Sequence, residues 1–131
     1  MASTLEFEVR PESLAIARLA HDAPLPEWAR GAFVTISRTP AELSVICDQR
    51  HVPPEVTSER DRVALGIVGV VPMTTVGLLA SLCGALAGAR VPVFVVSTYD
   101  TDWLLVQRAH LAAARAALEA LGHSVRDSAL S

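Results

Sequence analysis

A chain of 131 residues holds one ordinary domain, or two very small ones sharing an interior, and with 51% hydrophobic residues it has ample apolar surface to bury. A mean hydropathy of +0.38 is high for a globular chain and points to an apolar face covered by a second copy. All 11 basic residues are arginine, set against 14 acidic ones for a net charge of −3; with no basic field to draw phosphates, nucleic acid is excluded as a partner.

In chain order, the first residues carry acids and lack the apolar centre of a signal peptide, so a cytoplasmic location is expected. Residues 5–9 alternate apolar and charged, as a strand with one wet face does, and residues 14–19 form a second extended candidate. Pro24 and Pro26 leave room for no more than a helical turn before Trp28. Residues 33–37 and 43–47 then read as a strand pair around a turn. The polar, proline-bearing stretch 52–60 reads as a linker and a domain boundary.

Beyond the linker, residues 63–71 are rich in β-branched side chains and predict a buried strand. A helix is expected over 75–86, with Leu79, Leu82, Cys83 and Leu86 on one face. Strands follow at 93–98 and 103–106. A last helix spans 108–121, with Leu111, Ala114, Leu118 and Leu121 on one side and Gly122 as its stop. The order is βαββα. Residues 63–89 carry no charge and are long enough to cross a bilayer, but Pro72 and the Thr74–Thr75 pair interrupt them, so no membrane span is expected. The two halves also echo each other: each holds a strand, a connection, an apolar segment ending in serine, a short polar turn with an acid, and a further apolar strand.

Two stretches carry candidate chemistry. The first is the strand-to-helix junction Met73, Thr74, Thr75, Val76 and Gly77, where the first helical turn leaves backbone N–H groups unpaired and its dipole favours a carboxylate. Thr74 or Thr75 is expected to cap that helix, and Gly77 to let a ligand approach the backbone. The second is Ser97, Thr98, Tyr99 and Asp102, polar residues compressed between apolar strands. A carboxylate there, Asp102 or Asp100, suits an ammonium or guanidinium, hydroxyls fix its orientation, and Tyr99 is placed to cover a side chain. The competing reading is a capped helix and a hairpin turn that satisfy their own backbone groups.

Elsewhere the chain offers less. His21, His51, His110 and His123 lie far apart and read as surface residues, Cys47 and Cys83 as reduced and buried, and Arg60-Asp61-Arg62 as a solvated charge cluster. No metal site, no cofactor and no nucleophile beside a base is legible, so the chain is read as a non-enzyme.

The run 96–106, Val-Ser-Thr-Tyr-Asp-Thr-Asp-Trp-Leu-Leu-Val, resembles the small tandem ACT-domain proteins of bacteria and the related CASTOR arginine sensors; Trp28, residues 33–46 and Val52-Pro53 share that resemblance. It implies an α+β fold of two fused ferredoxin-like units, antiparallel sheets with helices on one face: a degenerate unit over 1–59 and a complete one over 60–131. It further implies a homodimer holding an amino acid at an interface between units, its carboxylate end at the loop before the helix and its far end at Thr98, Tyr99 and Asp102. That loop has no carboxylate of its own, so arginine is not singled out and a neutral or small amino acid fits as well. The function expected is non-catalytic amino-acid sensing; the alternative is a structural or protein-interaction module without a small-molecule ligand.

Overall fold

The computed structural model describes residues 4–128. In chain order the elements are β1 (Glu6–Val9), β2 (Leu14–Leu19), β3 (Thr35–Arg38), β4 (Leu43–Asp48), a 3₁₀ turn (Gln49–His51), β5 (Ser58–Ile67), α1 (Leu78–Gly88), β6 (Phe94–Ser97), β7 (Asp102–Gln107), a 3₁₀ turn (Arg108–His110), α2 (Leu111–Ala120) and β8 (Ser124–Asp127). They fall into two compact units: residues 12–62, and the segment up to Pro11 together with the chain from Val63 onward.

In the 12–62 unit the strand order is β3-β4-β2-β5, with β2 antiparallel to both β4 and the first half of β5. Alternation along β2 and β4 buries Ala15, Ala17, Leu43, Val45 and Cys47 on one face, where Val52 and Trp28 join them. Among the described residues this unit contains no α-helix. The loop before β3 is held instead by the Arg38 guanidinium, which donates to the carbonyls of His21 and Ala23.

The stretch expected as a linker already contains the start of β5, because Ser58 and Glu59 pair with Ala17 and Ile16. Arg62 then faces Leu14, so three steps along β5 oppose two along β2, and the extra residue makes a bulge. Asp61 takes it up with φ of 58°, a left-handed conformation that costs an L residue about 1 kcal/mol. The Gln49 side-chain amide offsets this by accepting from the Asp61 N–H (2.7 Å) and donating to the Asp61 carboxylate (3.1 Å). Arg60, expected in solvent, is partly buried and donates to the carbonyls of Gln49, Val52 and Pro53.

The second unit has the order β6-β7-β5-β1-β8. Phe7, Val9, Val63, Leu65, Ile67, Leu104 and Val106 alternate onto one sheet face, and both helices lie there, α1 through Leu82 and Leu86 and α2 through Ala114 and Leu118. On the other face the Trp103 ring lies directly over Gly66. Both helices end alike. After α2, Gly122 (φ 98°) donates to Glu119 and His123 to Leu118; after α1, Arg90 (φ 61°) donates to Ala87 and Val91 to Leu86. These are Schellman stops, with the expected glycine in one and a strained arginine in the other.

Several expectations need correction. The sheet is mixed rather than antiparallel, because β8, absent from the βαββα reading, runs parallel to β1 in the register Phe7 to Val125. β5 ends at Ile67 rather than continuing to 71: Gly69 turns to φ of 91°, and Val68 and Val70 face solvent. α1 begins at Leu78, not Thr75, and α2 at Leu111 after a 3₁₀ turn. His123 is buried: its Nδ1 accepts the Leu5 N–H (3.0 Å), and its ring meets Phe7 edge-on. Among the described residues no helix is long and apolar enough to cross a membrane.

Candidate functional site

The loop 68–77 and the turn between β6 and β7 belong to the same unit and are stitched together. The Val71 N–H donates to the carbonyl of Asp100 at 2.6 Å, and the Thr101 hydroxyl to that of Ile67 at 3.0 Å. The turn is closed on itself by Thr98, whose N–H and hydroxyl both donate to the Thr101 carbonyl (2.9 and 3.1 Å). At the pair of the β6–β7 ladder next to the turn, Ser97 lies opposite Asp102, and its hydroxyl donates to the carboxylate at 2.6 Å. Such a bond to an ionised group is short and strong, and it fixes the orientation of the carboxylate.

Across from this turn, Gly77 is the N-cap of α1 in a left-handed conformation (φ 82°), with open space where a Cβ would stand. Neither Thr74 nor Thr75 caps the helix, contrary to expectation. The Thr75 N–H is taken by the Pro72 carbonyl at 3.0 Å in a tight turn that ends before the helix begins. Among the described residues no side chain caps α1 and its first turn holds no acid, so its leading N–H groups keep their dipole-enhanced affinity for an anion.

Between the two lies a cavity of about 460 Å³, within the range of roughly 300–1,000 Å³ common for small-ligand sites. Of the residues expected there, Met73, Thr75 and Gly77 line one side, and Ser97, Thr98, Tyr99 and Asp102 the other. Thr74 and Val76 do not line it, and Val76 projects into solvent with 94% exposure. The lining also takes in Val71, Pro72, Leu78, Leu79, Ala80 and Thr101. Helical periodicity assigned Leu79 to the buried face of α1 and left Ala80 aside, whereas both enter the lining through the helix start. Met73 and Tyr99 stand at the rim, 74% and 83% exposed, and leave the cavity open. Among the described residues no cluster of His, Cys, Asp or Glu is able to hold a metal ion.

A mixed sheet with two helices on one face and a cavity at its strand-to-helix junction is the ACT-type ferredoxin-like fold. Residues 57–120 match the family model of the ACT domain, and a model of an N-terminal domain matches residues 12–55. The crystal structure of Atu0741 from Agobacterium tumefaciens is 31% identical, with 97% of this chain and 96% of that one covered and a TM-score of 0.90. Over its whole length the chain therefore belongs to one family with Atu0741, and residues 57–120 carry the match to the ACT domain. Two further likenesses extend to the fold alone. One is VC0802 from Vibrio cholerae, described as a possible transport protein (17% identity, 89% of each chain, TM-score 0.71). The other is the ligand-free regulatory subunit of aspartate kinase from Thermus thermophilus (16% identity, 92% and 98% covered, TM-score 0.61). No curated protein matches the chain significantly.

Proposed function

We propose that this protein is a non-catalytic sensor that binds a free amino acid in the cavity between the start of α1 and the β6–β7 turn. One observation carries the reading: an uncapped helix start and an oriented carboxylate, Asp102, line the same cavity. These are the two partners a zwitterion needs, amide donors for its carboxylate and an anion for its ammonium. The fold likeness to a regulatory subunit of aspartate kinase supports a regulatory role, as does the resemblance to the arginine sensors, which assigns Thr98, Tyr99 and Asp102 to the ligand's far end. The ligand sits at an interface between ACT units of a cytoplasmic homodimer, and binding shifts that interface through its differential affinity for the two states.

The division expected at residue 59, a reduced ACT-like unit followed by a complete one, is part of the proposal. Strand order supports it. Taken as first to fourth strands, β2, β3, β4 and β5 lie in the order second-third-first-fourth. β5, β6, β7 and β8 lie in the same order, with β1 inserted before the last, and each third strand leads into a 3₁₀ turn.

The test is thermal denaturation against the twenty amino acids. A ligand that binds only the native state raises the melting temperature, and Asp102→Ala abolishes the rise without lowering the unliganded midpoint. A flat panel at millimolar ligand refutes the sensor and favours the second reading, a protein-interaction module. Solvent-exposed Val70, Met73, Val76 and Tyr99 around the cavity mouth speak for that module.

A further inference from the structure

We infer that the cavity selects α-amino acids with an uncharged, apolar side chain and discriminates against acidic, basic and amide side chains. The inference rests on the proposed zwitterion site and concerns what remains of the cavity once the ligand's two backbone charges are satisfied. Among the described residues Asp102 is the only carboxylate in the lining, and no Arg, Lys or His joins it. An acidic ligand brings a second carboxylate that meets no cation and faces the charge of Asp102. A basic ligand brings two cations to one carboxylate. Whichever of them Asp102 takes, the other enters the cavity unpaired, a penalty that desolvation enlarges.

Hydrogen-bonding side chains fare little better, because three of the five hydroxyl protons in the lining are already committed, leaving only those of Thr75 and of Tyr99 at the rim. Ser97 donates to Asp102, Thr98 to the carbonyl of Thr101, and Thr101 to that of Ile67. A carboxamide that loses water there finds few donors in exchange. What the cavity does offer is apolar surface from Val71, Pro72, Met73 and Leu79, with the Tyr99 ring at the rim. A branched or thioether side chain gains on leaving water for such a wall.

Isothermal titration of the whole protein with leucine, methionine, glutamine, glutamate and arginine tests this. Leucine or methionine is expected to bind at least tenfold more tightly than the other three. The Met73→Arg variant alters an exposed rim position without touching the core, and it is expected to raise glutamate affinity relative to leucine at least tenfold. The 2-hydroxy acid analogue of leucine, which lacks the ammonium, is expected to lose at least tenfold. Glutamate, arginine or glutamine binding as tightly as leucine overturns the selectivity and leaves the zwitterion site standing. Undiminished binding of the hydroxy acid overturns the role given to Asp102 and the inference with it. If no amino acid binds at all, the proposed function itself falls.

Discussion

Gly66 offers a sharp test of how the sheet behind the site is packed. A Cβ built on this residue would stand 2.4 Å from Cζ3 and 2.6 Å from Cε3 of Trp103, whereas ordinary contact begins near 3.4 Å. Gly66→Ala therefore forces a shift of about 1 Å on an indole ring or on the strands that carry it. Overpacking of this kind costs about 1–3 kcal/mol, which for a domain of this size lowers the melting temperature by roughly 4–12 °C. Urea denaturation followed by tryptophan fluorescence and by circular dichroism measures the loss. In a double-mutant cycle, Trp103→Leu removes most of the cost of the alanine, giving a coupling energy of about 1 kcal/mol or more. A Gly66→Ala variant within about 0.5 kcal/mol of the parent, or one whose cost is the same with and without Trp103, would refute the packing argument.

Two further perturbations probe the units separately. His123→Leu leaves the Leu5 N–H without its acceptor, so it should cost about 1–3 kcal/mol and speed hydrogen exchange at Leu5, whereas unchanged exchange would show that this bond contributes nothing. Burial pushes the Cys47 thiol above its ordinary value of 9.0; a backbone hydrogen bond from Arg30 opposes the shift and the charge of Asp48 adds to it. As pH rises past that ordinary value, the unfolded chain loses the proton first and then binds fewer protons than the folded one. The Cys47 contribution to stability is thus intact below the unfolded thiol's pKa and is lost as pH climbs toward the folded one. Urea midpoints taken from pH 7 to pH 10 should fall at the alkaline end in the parent and fall less in Cys47→Ala; equal slopes would exclude the thiol as the cause.

The elements that pattern alone made legible are those whose apolar period is long and uninterrupted: β2, β4, the body of α1, and α2 with its Gly122 stop. β8 escaped because residues 124–127 hold a single apolar side chain, Val125, and the strand forms by pairing with β1 at the opposite end of the chain. The start of β5 was hidden in a polar stretch for a similar reason, since its partner is β2 and not a sequence neighbour. Its end was overrun because Val68 and Val70 look like strand residues, and only the left-handed turn at Gly69 exposes them. At the site, seven of the nine expected residues line one cavity. The helix start was misplaced by three residues because a threonine is the commoner cap, while here a left-handed glycine holds that position. His123 was read as a surface residue since nothing local reveals that a backbone N–H near the N-terminus requires its ring nitrogen.

In the proposed sensor one ligand engages the helix start and the β6–β7 turn at once. Titration of the isotopically labelled protein with leucine, followed by amide chemical shifts, addresses this directly. The N–H signals of Leu78, Leu79 and Ala80 should move together with those of residues 97–102 along a single saturable curve. Shifts confined to one of the two segments, or centred on another part of the fold, would contradict it.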